Sequence, residues 1–271
     1  MRSIVQVSRA ALIFIAIILC SIWSPPANAS TVVRVCLNQE MQGRPTGVLS
    51  SQLLAIAGRQ LPELKFEFTP LPWARCLKMA ELGQFDAVLA GSFTPERAKS
   101  LTYPLKTDGT LDASKRMFNL GFVLIRRTGS KVSWNGERFT NLNGPLGAQS
   151  GYSVVEYLRE QKIEVDDGNP TVQGGLRKLL AQRISGMIIN PFNFEAQLRD
   201  PEFNDKLEIV TGPLIQQKPY FLILSNQFYT SHAKVAAKLW KTIEITRNSK
   251  EFARLYSKQL EELQAGLKLN P

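Results

Sequence analysis

The chain alternates strand-like and helix-like segments, and it does so twice. In its first half, segments predicted as strand, helix, strand, helix and strand follow one another: Thr31–Leu37, Val48–Leu61, Lys65–Thr69, Pro72–Leu82 and Phe85–Ala90. The first helical segment carries apolar residues at three- and four-residue spacing, and the first strand is rich in β-branched residues. The apolar run of Phe85–Ala90 is typical of a parallel strand covered on both faces. This order predicts a doubly wound, mostly parallel sheet.

After this first half the alternation stops and then starts again. Residues 107–115 and 126–143 are polar and rich in turn-forming residues, which is typical of loops. Beyond residue 145, short strands alternate with helices again, and the chain closes with a strand at Tyr220–Leu224 and two amphipathic helices. The sequence therefore predicts two α/β halves of similar size, with the second inserted into the first.

A second half inserted into the first requires the chain to cross between the two halves twice. Two extended segments can make these crossings, Met117–Ile125 and Ile215–Leu224, and we predict that they are hinge strands. The predicted domains are lobe 1, formed by residues 30–121 and 217–271, and lobe 2, formed by residues 122–216.

Residues 1–29 have the pattern of a secretory signal peptide. Arg2 and Arg9 precede an apolar stretch, Ala10–Cys20. Further on, Ala27-Asn28-Ala29 fits a small-residue cleavage site. The apolar stretch is shorter than the ~20 residues that a membrane-spanning helix needs. We therefore expect this segment to be removed and the remaining chain to be periplasmic.

Charge and composition narrow the partners of the chain. It has 33 Lys and Arg against 23 Asp and Glu, and the formal net charge of +10 favours anionic ligands. The basic residues are scattered and form no run interleaved with aromatic residues, so we expect no nucleic-acid partner. His232 is the single histidine and no Cys-x-x-Cys occurs, so we expect neither a metal site nor a cofactor.

Two cysteines follow the predicted cleavage site, Cys36 and Cys76. In an oxidising compartment an even pair of cysteines can form a disulfide, and both residues would lie beside the same strand ends of the predicted sheet. Two buried free thiols are the alternative. The sequence leaves both possibilities open.

With this order of elements, the chain resembles a known family, the type II periplasmic solute-binding proteins. It is most similar to the polar amino acid-binding (family 3) group of ABC-transporter substrate-binding proteins. The resemblance extends over the whole chain after residue 29 and rests on four strings: VVRVCLN, GQFDAVLAGSFTPERAKSLTYP, LGAQSGYSVVEYL and LLAQRISGMIIN. It implies a monomeric two-lobe clamp that closes on a small ligand at the strand carboxyl ends. The implied partner is an inner-membrane ABC permease or a sensor.

The resemblance assigns a ligand role to the arginine of the T-x-E-R string, which is Arg97 here. In the family this arginine holds the ligand carboxylate, and a planar guanidinium binds a carboxylate through two parallel hydrogen bonds. Ser92 and Thr94 lie where family members offer hydroxyl and backbone contacts. The alternative, from the residues alone, is that Thr94 caps a short helix, Pro95 begins it and Arg97 is solvated.

The second lobe is implied to add donors from the start of a helix. The candidate residues are Ser150, Gly151, Tyr152 and Ser153. In the family this turn donates hydroxyl and N–H groups to the same carboxylate, and a helix N-terminus favours anions. The serines can also serve as N-caps. Tyr152 stands where a small hydroxyl residue is common, so the floor of the pocket is expected to differ.

Two residues of the first lobe are predicted to lie at the cleft rim. Trp73 and Arg75 follow a strand and open a helix, so both begin near the strand ends. Trp73 would supply an apolar wall and Arg75 a second cation. Packing of Trp73 between helix and sheet is the alternative.

The chain departs from the family at the end of the strand matched by ISGMIIN. Amino acid-binding members have an aspartate there that pairs with the ligand ammonium, whereas this chain has Asn190, preceded by Ser185-Gly186. An uncharged amide pairs poorly with a desolvated cation. Glu195, on the following segment, is the candidate substitute. A carboxylate without an ammonium group therefore fits the sequence as well as an amino acid does.

Three functions follow from these observations. The first is a solute-binding protein that serves uptake, with no catalytic group, since no Gly-x-Ser-x-Gly, Ser/His/Asp set or phosphate loop occurs. The second is a periplasmic dehydratase-like enzyme on the same scaffold, which would need an acid in the cleft. The third is a ligand-sensing partner of an envelope receptor.

Overall fold

The computed structural model describes residues 30–191, 194, 197 and 200–267. The predicted signal peptide and Glu195 lie outside these residues. Within them, the strands are β1 (Thr31–Asn38), β2 (Leu64–Leu71), β3 (Ala87–Ser92), β4 (Leu101–Thr102), β5 (Phe118–Arg127), β6 (Ser133–Trp134), β7 (Phe139–Thr140), β8 (Leu146–Gln149), β9 (Val165–Asn169), β10 (Gly186–Ile189), β11 (Leu207–Ile209) and β12 (Ile215–Ser225). The α-helices are α1 (Pro45–Gly58), α2 (Trp73–Glu81), α3 (Pro95–Ala98), α4 (Ser153–Glu160), α5 (Val172–Leu180), α6 (Asn226–Arg247) and α7 (Lys250–Leu267).

Ten of the described strands form one sheet, in which eight follow the order β2-β1-β3-β12-β5-β10-β8-β9 while β4 pairs with β12 and β11 with β5; β6 and β7 form a separate two-stranded sheet. Strand β1 is parallel to β2 and β3, and β8 is parallel to β9 and β10. Strands β12 and β5 are antiparallel to their neighbours and join the two parallel halves. This is the predicted two-lobe α/β fold, with a first lobe around β1–β3 and a second lobe around β8–β10.

Strands β5 and β12 pair with each other where the chain crosses between the lobes, and β12 also pairs with β3 and β4 of the first lobe. The start of β5 pairs with β12, and its end pairs with β10 and β11. The pairing of β12 with β5 is irregular between Ile215 and Lys218, where Gln216 has a φ of 47°. Left-handed backbone in a non-glycine residue is strained, so the crossing at β12 contains a local distortion.

Helices cover both faces of each lobe. In the first lobe, apolar side chains of α1, α6 and β1 form one core, and those of α2, β3 and β12 form another on the opposite face. In the second lobe, α4 and α5 pack on opposite faces of the sheet. Among the described residues, no helix combines the length and the apolar character needed to cross a membrane.

The predicted strand Phe85–Ala90 ends too early, because Gly91 and Ser92 also belong to β3. They pair with Phe221 and Tyr220 of β12, a partner more than 120 residues away along the chain. A side chain at Gly91 would begin 2.3 Å from Cδ1 of Ile223, so any larger residue there would displace the buried Ile223 side chain. The strand therefore continues to Ser92 and delivers that residue to the interlobe edge.

Asp86, in the loop before β3, anchors β3 to β1. Its carboxylate accepts hydrogen bonds from the backbone N–H (2.8 Å) and from Nε (2.9 Å) of Arg34 and forms an ion pair with Nη2 at 2.8 Å. Burial by itself would raise the pKa of Asp86, but these hydrogen bonds and the Arg34 charge outweigh it and hold that pKa below its ordinary value. The aspartate of the GQFDA string is therefore a structural residue.

We expect Asp86→Asn to lower the free energy of unfolding by about 1 kcal/mol at neutral pH, a modest value because half of the Arg34 side chain is exposed. A depressed carboxyl pKa contributes stability above the ordinary aspartate pKa and loses it as the pH falls through the lower folded value. Urea unfolding at pH 7 and in steps below pH 3.8 should show the difference between the two proteins vanishing. Arg34→Gln is the control, since Asp86→Asn should cost less in that background. A difference that stays constant with pH would contradict the assignment.

Candidate functional site

A cavity lies between the lobes where the parallel strands end, and we call it the interlobe cavity. Its first-lobe wall contains polar and apolar residues near these strand ends: Asn38, Met41, Thr46, Trp73, Ala90, Ser92 and Arg97. The hinge strands contribute apolar and phenolic surface through Leu120, Phe122 and Tyr220, and the second lobe contributes Tyr152, Ser153 and Asn190. About 30 Å³ of this cavity is open to the centre of a water molecule, which is room for only a few waters. A larger solute must therefore separate groups that now bridge the lobes.

Arg97 is buried at the edge of this cavity. Thr94 caps the short helix α3, since its Oγ1 accepts from the backbone N–H of Arg97 at 3.2 Å, and Pro95 begins the helix. The capping prediction for this turn is therefore right, but its corollary of a solvated arginine is wrong. The side chain of Arg97 turns back over β3, where Nη1 donates to the carbonyl oxygen of Ser92 at 2.7 Å.

Trp73 and Arg97 converge on one carbonyl of the second lobe. The indole Nε1 of Trp73 donates to the carbonyl oxygen of Gly151 at 3.0 Å, and Nη2 of Arg97 donates to the same oxygen at 2.6 Å. The guanidinium carbon lies 5.5 Å from the centre of the Trp73 ring, within the range of a cation–π contact. Gly151 has a φ of 76°, which favours glycine. The indole N–H of Trp73 and the guanidinium of Arg97 are donors that a ligand carboxylate could accept from.

A disulfide holds Trp73 in place. Cys36 of β1 and Cys76 of α2 are bonded, with their Cα atoms 5.6 Å apart. Because Trp73 begins α2, the bond fixes the first turn of this helix against the end of β1. The sequence left open a disulfide or two buried free thiols, and the structure contains the disulfide.

Hydroxyl groups from three elements meet beside Arg97. Ser92 donates to Oγ of Ser153 across the lobes at 2.8 Å, and the phenol of Tyr220 lies close to both serines. Burial raises the pKa of Tyr220 to about 12, against the opposing effect of the Arg97 charge and of the two serine hydroxyls. Tyr220 therefore stays neutral and can donate a hydrogen bond. A guanidinium flanked by hydroxyls is a suitable environment for a carboxylate.

Tyr152 reaches from the second lobe to the end of β1. Its hydroxyl accepts from Nδ2 of Asn38 at 2.7 Å, and its ring meets that of Trp73 edge-on at a centroid distance of 6.3 Å. Tyr152 is also the N-cap residue of α4, which has no side-chain cap, so neither Ser150 nor Ser153 caps this helix. The bulky residue noted at this position therefore forms part of the contact between the lobes.

Asn190 lies at the end of β10, where it is buried and lines the cavity. No aspartate, glutamate, histidine or cysteine occurs among the described residues that line the cavity. Glu40, an acid close in sequence to the lining residues Asn38 and Met41, does not line the cavity and interacts instead with the backbone N–H of Val172 at the start of α5. Burial raises the pKa of Glu40, while that N–H and the charge of Arg44 oppose the shift. The cavity thus presents one guanidinium and neutral polar groups.

The structure brings together six of the predicted site residues around the interlobe cavity: Trp73, Ser92, Arg97, Tyr152, Ser153 and Asn190. Gly151 contributes through its carbonyl. Thr94 supports Arg97 from behind, the backbone N–H of Ser150 bonds to the carbonyl of Asn169, and Arg75 is exposed on α2. The predicted placement of Arg75 at the cavity therefore does not match the structure.

Two cavity residues, one at the end of β1 and one at the start of α1, were not predicted from the sequence. Asn38 ends this strand and Thr46 lies in the first turn of α1, and both line the cavity. The available signal was their position, since the end of a parallel strand and the start of the next helix meet at the ligand edge of such sheets. Within the part of the chain that the structure describes, no three His, Cys, Asp or Glu side chains are grouped as they would be around a metal ion.

This architecture, with a cavity between two lobes joined by antiparallel crossing strands, is that of the type II periplasmic binding proteins. A histidine kinase sensor domain with similarity to periplasmic binding proteins superimposes with a TM-score of 0.65 at 14% identity, over 86% of this chain and 97% of that one. An ancestral arginine-binding protein bound to glutamine gives 0.62 at 15% identity, over 84% and 96%. The substrate-binding protein of an amino acid ABC transporter gives 0.58 at 12% identity, over 86% and 99%.

No protein-family model matches the sequence, and no curated protein matches it either. At these identities the structural likenesses show the fold alone. The fold is that of the two-lobe periplasmic binding proteins, as the sequence strings indicated.

Proposed function

We propose that this protein captures a small carboxylate-bearing solute, an amino acid or a related organic anion, between its two lobes. One observation carries the proposal: the buried guanidinium of Arg97 lies at the interlobe cavity beside the hydroxyls of Ser92, Ser153 and Tyr220. A desolvated cation surrounded by neutral donors is complementary to a carboxylate. We place this activity in the periplasm, after removal of residues 1–29, with the chain acting as a monomer.

Closure would couple binding to the contact between the lobes. In the proposed cycle, the ligand carboxylate replaces the carbonyl of Gly151 as the acceptor for Arg97 and Trp73, and Ser153 completes the seat from the second lobe. Contacts made only in the closed form stabilise that form when ligand is bound. An inner-membrane ABC permease or a sensor would then recognise the closed lobes.

Sensing is the second candidate, favoured by the likeness to a histidine kinase sensor domain. Both roles use the same closure. A catalytic role, such as that of a dehydratase, has less support because no carboxylate, histidine, cysteine or lysine is found among the described residues lining the cavity.

A thermal-shift panel of amino acids and organic acids tests the proposal. We expect carboxylates to raise the melting temperature, because a ligand at 100 times its Kd adds about 2.7 kcal/mol to the stability of the folded state. The methyl ester or amide of each active compound is the control and should give no shift. A panel in which no carboxylate shifts the melt would refute the proposal, and turnover of a bound compound would favour the enzyme.

A further inference from the structure

The side chain of Thr46 carries a buried hydroxyl that has no hydrogen-bond partner in the part of the chain that the structure describes. Thr46 is 2% exposed, its Oγ1 forms no hydrogen bond with any described residue, and it lines the interlobe cavity. Buried hydroxyls in folded proteins are almost always paired, because an unpaired one has lost its water without replacement. A group from a ligand in the cavity would supply the missing partner.

Thr46 also lies at a helix end that favours acceptors. It occupies the first turn of α1, a helix of 14 residues that begins with Pro45 and has no side-chain cap from Arg44. The amides and the dipole of such a helix start attract oxygen acceptors and disfavour cations. A side chain at Gly47 would begin 2.0 Å from the carbonyl oxygen of Met41, so this turn packs tightly against Met41, which also lines the cavity.

The Asn38 side chain, which also lines this part of the cavity, already has hydrogen-bond partners. Asn38 donates to the hydroxyl of Tyr152 at 2.7 Å, and its Oδ1 accepts from the backbone N–H of Glu40 at 3.1 Å. It therefore does not serve Thr46. Since the described cavity lining contains no carboxylate, an ammonium group would meet no counter-charge there.

We propose that Thr46 and the start of α1 form a second subsite of the interlobe cavity, one that takes an oxygen acceptor. The subsite binds the far carboxylate or carbonyl of a ligand whose first carboxylate is held by Arg97, and so it selects solutes with two acceptor ends and no ammonium group. This inference rests on the proposed function and specifies its ligand class.

Matched probes of equal length test it. Calorimetry would measure the binding of each probe. Glutarate has an acceptor at both ends, pentanoate has one at a single end, and 5-aminopentanoate carries an ammonium at the far end. Succinate and adipate extend the series to neighbouring lengths. We expect at least one dicarboxylate to bind roughly tenfold or more tighter than the monoacid of its length, the value of one hydrogen bond to a charged group. The amino acid should bind no tighter than the monoacid.

The variant Thr46→Val replaces the hydroxyl with a methyl group of similar size. It should remove the advantage of the dicarboxylate over pentanoate, whereas Thr46→Ser should retain that advantage. Thr46→Ala serves the same purpose if the valine variant does not fold.

The outcomes separate this inference from the proposed function. If pentanoate and the dicarboxylates bind equally, if Thr46→Val keeps the dicarboxylate advantage, or if 5-aminopentanoate binds most tightly, the subsite is refuted while carboxylate capture stands. If no carboxylate binds the wild-type protein at all, both the proposed function and the subsite fail.

Discussion

Replacing Arg97 with alanine is expected to weaken carboxylate binding by ~2–5 kcal/mol, the cost of removing one partner from a buried, hydrogen-bonded charge pair. That corresponds to a loss of roughly 30-fold to several thousand-fold in Kd. The loss should be large because Arg97 is 8% exposed and no other arginine lines the described cavity. Calorimetry with a carboxylate found in the thermal-shift panel would measure it.

The same change should have little effect on folding. The two carbonyls that Arg97 bonds each have a second donor, since Tyr103 donates to the Ser92 oxygen at 2.9 Å and Trp73 to the Gly151 oxygen at 3.0 Å. Neither carbonyl is left without a partner, so the variant should melt close to the wild type.

Two further variants control for charge. Arg75→Ala removes the same charge from an exposed position on the neighbouring helix α2 and should leave Kd nearly unchanged. Arg97→Lys keeps the charge but loses the planar two-donor geometry, so it should recover only part of the affinity. Equal binding by Arg97→Ala and Arg75→Ala would show that Arg97 does not hold the ligand.

Loss of the disulfide should produce the largest change in stability. The bond joins residues 40 positions apart, and closing a loop of this length stabilises the folded state by about 4 kcal/mol in the chain-entropy model. For a protein of this size, each kcal/mol is equivalent to about 2–4 °C of melting temperature. The variant Cys36→Ala/Cys76→Ala should therefore melt about 8–16 °C lower than the wild type.

The single variants provide the internal control. Either Cys36→Ala or Cys76→Ala breaks the bond, so each should cost nearly as much as the double variant, and the effects should not add. A thiol assay on the denatured, unreduced wild type should find no free thiol at these two positions. A double variant that melts within about 2 °C of the wild type would contradict a stabilising role.

Most of the fold could be predicted because its signals are local. The periods of 3.6 and 2 residues are set by neighbouring side chains, so the alternation of helices and strands and the restart after residue 145 were visible without coordinates. The T-x-E-R string likewise placed Arg97 after a strand end. The end of β3 was misplaced because pairing with β12 decides it.

One part of the site could have been predicted better from the sequence. Trp73 and Arg75 were both placed at the cleft rim, yet residues two apart on a helix face nearly opposite directions. The structure buries Trp73 against the second lobe and exposes Arg75. Helical geometry alone excludes the joint assignment, although it does not say which residue faces inward.

The sequence by itself determined two α/β halves, their order and the arginine that follows a buried strand, because each of these depends on residues close together in the chain. Only the tertiary structure decided that the Gly151 carbonyl accepts hydrogen bonds from both Arg97 and Trp73, that Tyr152 bonds to Asn38, and that the Thr46 hydroxyl has no hydrogen-bond partner among the described residues. Asn38 and Tyr152 are 114 positions apart, and no local pattern records such a contact. The contact forms because the two lobes pack against each other, and the packing of whole lobes decides which side chains come together.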